Sequence, residues 1–158
     1  MNTINIILLI AAVLTGLIAG LFYAWWCSVM PGFARLNDRE FVAAMRQTNK
    51  AIQNPVFFAS FFGAPIFLMI SAYLHYGTPR FPFLLASGLI YLTGTFGVTV
   101  FGNVPLNNEL DRFEPKAAAA EEITRARNRF ERPWNRLNTI RTVSSAIALI
   151  LAIISCLS

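Results

Sequence analysis

Trp134, Asn138, Arg141 and Ser145 follow one another at intervals of four, three and four residues, the spacing of one helical face. Arg141 falls about one turn inside the apolar run Leu137–Leu157. A guanidinium at that depth either snorkels to the surface or faces inward, where an intramembrane cation marks a functional site by default. Its companions Trp134, Asn138 and Ser145 favour the inward direction. Asn54, Asn103 and Asn107 stand at the same end of their own apolar runs, and Thr99 lies one turn before Asn103. Four amides, an indole and a guanidinium can therefore converge. Amides orient carbonyl or phenolic oxygens, and a cation stabilises a developing oxyanion. The same amides can also cap helices, a reading especially open for Asn54 and Asn107.

Other chemistry is poorly supplied. His75 is the single histidine, at the far end of its run, and reads as an interfacial side chain. Haem or non-haem iron normally needs more ligands of this kind. Cys27 and Cys156 fall at opposite ends of their spans, separated by a hydrocarbon core about 30 Å thick. A disulfide needs Cα atoms within about 7 Å, so neither a bridge nor a metal site is expected. Walker and dinucleotide fingerprints are missing. Glu109 and Asp111 lie near the amide cluster but read as solvated surface. Oxidative chemistry here would be cofactor-independent, with no metal.

The elements that must position these residues are read from an unusually apolar chain. Of 158 residues, 56% are hydrophobic and 13% charged, against about 45–50% and 25% in soluble domains. A helical span needs roughly 20 mostly apolar residues. Ile4–Cys27, Pro55–Tyr76, Phe81–Phe101 and Leu137–Leu157 qualify, giving spans at about 4–27, 55–76, 81–103 and 135–157. The expected fold is all-α: one four-helix integral membrane bundle using the whole of 1–158. An amphipathic helix is expected in loop one and a helical cytoplasmic segment in loop three. The first span lacks a basic leader and exceeds a signal core of about 7–15 residues, so it reads as a retained helix.

Local signals refine this picture. Ala12, Gly16, Gly20 and Ala24 predict a close-packing face on the first span. Tyr23, Trp25 and Trp26 suit the interface, and Pro31-Gly32 is expected to end the helix. Asn37 with Glu40 three residues later predicts a capped helix start, followed by an apolar face of Phe41, Met45, Thr48 and Ile52. Asn54-Pro55 predicts a cap with proline at the first helical position. Pro65 is expected to bend the second span, and Ala59 with Gly63 and Ser60 with Ala64 to pack it closely. In the third span Ser87, Tyr91, Thr95, Thr99 and Asn103 recur every four residues, a polar stripe that must face other helices. Whether it packs or lines a cavity stays open. Ala117–Glu131 reads as a solvent-washed helix, and Pro133 as the start of the fourth span.

Twelve of the thirteen Lys and Arg residues lie in the two long polar stretches, Arg80 being the exception. Basic residues beside spans stay on the cytoplasmic side. Loops one and three are thus expected in the cytoplasm of an inner-membrane protein, with both termini outside. A net charge of +5 reads as topology and anionic-lipid contact, with no nucleic-acid partner.

Four blocks resemble one known family. They are Gly20-Leu21-Phe22-Tyr23-Ala24 with Val29-Met30-Pro31; Gln47, Asn49 and Asn54-Pro55; Val100 with Asn103-Val104-Pro105-Leu106-Asn107; and Trp134-Asn135-Arg136-Leu137-Asn138-Thr139-Ile140-Arg141-Thr142. In that order, over nearly the whole chain, they look like the anthrone oxygenase-like membrane family. The resemblance implies four spans and, for fungal members, oxidation of an anthrone to an anthraquinone by dioxygen. It further implies a flat tricycle bound among aromatics and stacked on Trp134, with the enolate oxygen on Arg141 and the carbonyl oriented by Asn103 or Asn138. Many relatives are expected to carry His where this chain has Asn138, which leaves proton abstraction at that position an open question. Two readings follow: a cofactor-independent oxygenase acting on an aromatic or quinone-like molecule, or a non-enzymatic membrane protein binding lipid, quinone or a partner. Transport is less favoured, because paired discontinuous helices and a buried carboxylate relay are missing; a homo-oligomer would reopen it by lining a path with helices from several subunits.

Overall fold

The computed structural model describes residues 2–115 and 117–158, and among them every regular element is helical. The helices are α1 (Thr3–Phe33), α2 (Asp38–Ala51), α3 (Pro55–Leu74), α4 (Phe81–Arg112) and α5 (Ala120–Leu157). All but α2 are long and apolar enough to cross a membrane. Their outward faces carry large apolar side chains such as Leu17, Ile66, Phe101 and Ile147. A soluble bundle buries most such residues and shows only small apolar patches. The chain is a multi-pass membrane protein built as an all-α four-helix bundle.

Neighbouring spans run antiparallel in the order α1, α3, α4, α5 around the bundle. Leu8 clusters with Ala72 and Leu84 at one end, while Gly63 faces Leu14, Gly88 faces Met69, Gly94 faces Ser144 and Gly102 faces Leu137 further along. The Thr142 hydroxyl closes the ring by donating to the Phe22 carbonyl at 3.1 Å. Gly77, at φ 76°, makes the tight turn between α3 and α4 in a conformation that favours glycine. The Ala12–Ala24 stripe does not pack as expected. Gly16 touches Leu149, but Gly20 and Ala24 are exposed and nothing lies within 4 Å of a Cβ placed on Gly20. Span one packs instead through Leu8, Ala11, Thr15, Ile18, Ala19 and Phe22. In α3 the Ser60, Gly63 and Ala64 face packs, whereas Ala59 is exposed.

All five members of the polar stripe on α4 are buried. In a regular α-helix, residues four apart drift by about 40° per step at 3.6 residues per turn. The drift is undone because Tyr91–Gly97 and Thr99–Asn103 form π turns, whose wider i→i+5 loops rotate the stripe back. Ser87 Oγ donates across to the Ala148 carbonyl of α5 at 2.7 Å and Thr99 Oγ1 to the Thr95 carbonyl of its own helix at 2.7 Å, while Thr95 Oγ1 and the Asn103 amide find no partner among the described residues. Tyr91 has a sharper task. Pro65 runs unbroken within α3 and lacks the N–H that would bond the carbonyl four residues earlier, that of Phe61. The Tyr91 hydroxyl donates to that carbonyl at 3.1 Å.

The polar end carries its own core. Asn37 caps α2 by accepting the Glu40 N–H at 3.0 Å, and Phe41, Val42, Met45 and Asn49 form its buried face. Thr48 and Ile52 lie only at its edge. Phe41 and Met45 pack with Met30, Leu110, Ile123 and Phe130. Ile123 and Phe130 show that the segment expected to be solvent-washed docks on α2. That segment also continues into the fourth span as one 38-residue helix. Pro133 does not start a helix; both it and Arg129, whose carbonyl it leaves unbonded, are exposed where water or headgroups can serve. Likewise α1 runs past Pro31-Gly32 to Phe33, after a π turn at Trp25–Val29 in which Met30 N–H bonds the Trp25 carbonyl. His75 is buried rather than interfacial, its Nδ1 2.8 Å from the Ser71 carbonyl. Cys27 and Cys156 are free and exposed.

Arg127 ties these pieces together. It donates to the Leu36 carbonyl at 2.8 Å, the Ala34 carbonyl at 3.1 Å, Asp38 Oδ1 at 3.0 Å and Glu131 Oε2 at 2.7 Å. Its guanidinium lies 4.4 Å over the Phe41 ring. The Thr124 hydroxyl, then Arg127, hold the Asp38 carboxyl below its ordinary pKa. Arg39 bonds the Pro115 carbonyl and Arg46 the Asp111 carbonyl, so several loop cations do more than set topology.

Candidate functional site

Arg141 is buried on the inward seam of α5, with 6% of its surface exposed, alongside Trp134, Asn138 and Ser145. It does not snorkel. Nη2 donates to Asn138 Oδ1 at 2.7 Å, and the guanidinium sits 4.3 Å over the Phe22 ring and 5.2 Å from the Trp134 ring. Nε has no partner among the described residues. The carboxylates that pair with arginine in those residues, Asp38, Glu114 and Glu131, serve Arg127 and Arg46. Arg141 is thus a buried cation held by an amide and two π faces, with no counter-charge among the described residues. Leaving a charge in this condition is costly unless something pairs with it.

Beside Arg141 lies a cavity of about 290 Å³, at the small end of the roughly 300–1,000 Å³ usual for ligand pockets. Phe22 and Trp25 of α1 form its back wall with Trp134, and Asn49 of α2 and Gln53 of the link that follows it line its polar end. From α3 it receives Phe57, Phe58, Phe61 and Phe62, and from α4 Thr99, Val100, Val104, Asn107 and Asn108. The aromatic lining has two groups: Trp25 and Trp134 have ring centres 5.3 Å apart, and Phe57 and Phe61 stack at 5.2 Å, with Phe61 also stacked at 5.2 Å on Phe96 outside the lining. Among the described residues lining the cavity none is Asp, Glu or His. The site therefore offers flat apolar faces, a few amides and one cation, which suits a planar molecule bearing an oxyanion or a polarised carbonyl.

The seven residues singled out from sequence divide four ways. Arg141, Trp134, Asn107 and Thr99 line the cavity, and Asn107 Oδ1 accepts the Trp134 indole N–H at 2.9 Å, fixing the ring that faces the guanidinium. Asn138 is buried one layer back and positions Arg141. Asn103 is fully buried on α4 away from the cavity lining, and neither of its amide atoms finds a partner among the described residues. Asn54 is a cap: Oδ1 accepts the Phe57 N–H at 3.0 Å and Nδ2 donates to the Ala51 carbonyl at 2.9 Å.

Sequence reasoning missed the contribution of Asn49, whose Nδ2 is buried at the cavity edge with no partner among the described residues. The available signal was its four-residue spacing from Met45 on the inward face of the amphipathic helix. It also missed the doubled phenylalanines of α3. Trp25 was grouped with Tyr23 and Trp26 as interfacial; the latter two are exposed, but Trp25 turns inward to Trp134.

A family model described as anthrone oxygenase matches residues 56–151, well over half of the chain. The chain belongs to the anthrone oxygenase family. The matched stretch runs from the first turn of α3 through α4 and into the apolar half of α5, so it contains the phenylalanine wall, the polar stripe, Trp134 and Arg141. The anthrone oxygenase match leaves out α1, α2 and the link after α2, which supply Phe22, Trp25, Asn49 and Gln53. Comparison with curated proteins and with solved structures yields no match.

Proposed function

We propose that this protein binds a flat aromatic or quinone-like molecule in the cavity beside Arg141, at the cytoplasmic end of a four-span inner-membrane domain with both termini outside. The observation that carries the reading is the buried guanidinium at the cavity edge, which has no carboxylate partner among the described residues and lies against two aromatic rings. An enolate or phenolate oxygen would supply the missing charge, and its ring system would stack on Trp134 and the phenylalanines. The basic loops support the orientation, since Lys and Arg near span ends are retained on the cytoplasmic side.

As an enzyme, the protein would convert an anthrone-type substrate without a resident cofactor. The substrate loses a C–H proton, giving an enolate whose oxygen rests on Arg141. The enolate carbon forms a bond to dioxygen, the peroxide anion takes the proton back from water, and the resulting hydroperoxide loses water as its O–O bond and remaining C–H bond break. The balance is anthrone plus dioxygen to anthraquinone plus water. With no Asp, Glu or His on the described cavity wall, the proton passes to water, and the protein's share is orientation and charge stabilisation.

That same lack of a base favours a second reading, a non-enzymatic protein that holds the ring without turning it over. Purified protein in lipid nanodiscs, given anthrone under air, separates the two. Oxygen uptake matched by anthraquinone formation, and lost in Arg141→Gln, supports the oxygenase. Saturable binding without uptake supports the binder, and undiminished turnover in Arg141→Gln removes the role assigned to Arg141.

A further inference from the structure

We propose that the cavity takes its ligand sideways from the bilayer, through a gap between α3 and α4, and that the ligand is a membrane-dissolved amphiphile. Its flat phenolic or quinonoid head would sit beside Arg141 and its aliphatic tail would stay in lipid. This rests on the reading of the head-group site given above and adds the route and the tail.

The gap follows from how the two helices diverge. Along Phe81–Ile90, α4 packs closely on α3; contact thins over Tyr91–Gly97 and is sparse or lacking beyond Thr99. Phe96 makes the last firm bridge, with its ring 5.2 Å from that of Phe61 and 5.7 Å from that of Phe62. Below this lintel the cavity is bordered by Phe58 and Phe62 on one helix and Val100 and Val104 on the other. Phe58, Phe62 and Val104 belong at once to the cavity lining and to the exposed surface, at 40%, 46% and 39% exposure. The rim is therefore the mouth of the cavity.

The mouth faces hydrocarbon. Phe62 lies seven residues beyond Pro55, about 10 Å along the helix at 1.5 Å per residue, on an outer surface that also presents Val56 and the strongly exposed Phe101. An entrance walled by phenylalanine and valine at that depth admits apolar groups and repels free ions. Arg141, behind it, requires an anionic or strongly polarised head. One molecule meets both demands when its head is an ionisable ring oxygen and its tail is aliphatic. The size agrees, because about 290 Å³ accommodates a ring system with no space left for a long chain.

The test uses wild-type protein and a Trp26→Phe variant in phosphatidylcholine vesicles, so that the remaining tryptophans are the cavity pair Trp25 and Trp134. The probes are 2-hydroxy-1,4-naphthoquinone and the same ring bearing a long saturated chain with a diazirine a few carbons from the ring. Saturable tryptophan quenching by the bare ring, lost in Arg141→Gln, reports the head-group site alone. Photolysis of the tailed probe should then label Phe58, Phe62, Phe101 or Val104, or neighbouring lipid, and excess bare ring should suppress the protein labelling. Labelling of Lys50, Gln53, Asn108 or the loops would overturn the lateral route while leaving the head-group site standing. Absence of saturable quenching by either ring would overturn the site itself, and the route with it.

Discussion

Arg141 Nη2 donates to Asn138 Oδ1 at 2.7 Å, one turn back on the same helix, while its Nε has no partner among the described residues. The amide fixes the guanidinium but contributes no charge, so the positive charge remains available to a ligand. Asn138→Asp would place a carboxylate where the amide stands and satisfy the cation internally. A charge-assisted hydrogen bond is worth about 1.5–3 kcal/mol, so affinity for an anionic ring should fall by roughly one to two orders of magnitude. Arg141→Gln should show a similar loss. Thermal stability separates the variants, since the new ion pair should preserve the fold. Titration of both with 2-hydroxy-1,4-naphthoquinone checks this, and full affinity in Asn138→Asp would show that the charge is not what the site uses.

The Tyr91 hydroxyl serves a carbonyl that Pro65 leaves unbonded. Tyr91→Phe should destabilise the bundle by about 1–3 kcal/mol, the cost of a buried group losing its partner. In a Pro65→Ala background the helix supplies its own N–H to Phe61, and the same Tyr91→Phe change should cost markedly less. Thermal denaturation of the four proteins in one detergent gives the coupling as a double-mutant cycle. Additive effects would mean that the hydroxyl and the proline are energetically unrelated.

Much of the fold and part of the site were legible because local periodicity carries them. The seam of Trp134, Asn138, Arg141 and Ser145, and the stripe from Ser87 to Asn103, were read as inward and are buried. The caps at Asn37 and Asn54 were readable for the same reason, since an acceptor and its N–H lie three residues apart. What sequence could not supply depends on distant partners. Arg127 is defined by Ala34, Leu36 and Asp38, which are about ninety residues away in the chain. The π turns at Trp25–Val29 and Tyr91–Asn103, which turn Trp25 inward and straighten the stripe, carry no composition of their own. Small residues on α1 suggested the wrong face because spacing alone cannot say which side has a neighbour. The opening beside Phe58 and Phe62 is a divergence of two helices, visible in neither one separately.

Close approach of α4 and α5 depends on Gly94. A Cβ there would lie 2.6 Å from Ser144 Cβ and still closer to Ser144 Oγ. Gly94→Ala should therefore cost about 1–3 kcal/mol through overpacking. Ser144→Gly should restore stability in the double variant because it removes both clashing atoms. Ser144→Ala should not, since the offending Cβ stays. Unfolding midpoints of the three variants in a common detergent decide this; equal rescue by alanine and glycine would assign the strain to the hydroxyl alone.

Acid should undock loop three from loop one through Asp38. The Thr124 hydroxyl and Arg127 hold its carboxyl below the ordinary value, which for Asp is about 3.9. A carboxyl with a depressed folded pKa contributes stability that is complete above the unfolded value and is lost as pH falls through the folded one. Arg127 moves oppositely, raised first by Glu131 and then by Asp38. Its contribution is complete below its ordinary range and does not change between pH 3 and 8. The expected window thus opens below about pH 4. Because Asp38 is partly exposed, salt should shrink the effect. Hydrogen–deuterium exchange in nanodiscs should show Asp38–Ala51 and Ala120–Phe130 losing protection together as the pH drops from 5 to 3. Asp38→Asn should show weaker protection at neutral pH and a flatter acid response. An acid response unchanged in Asp38→Asn would show that the contacts of Asp38 do not set it.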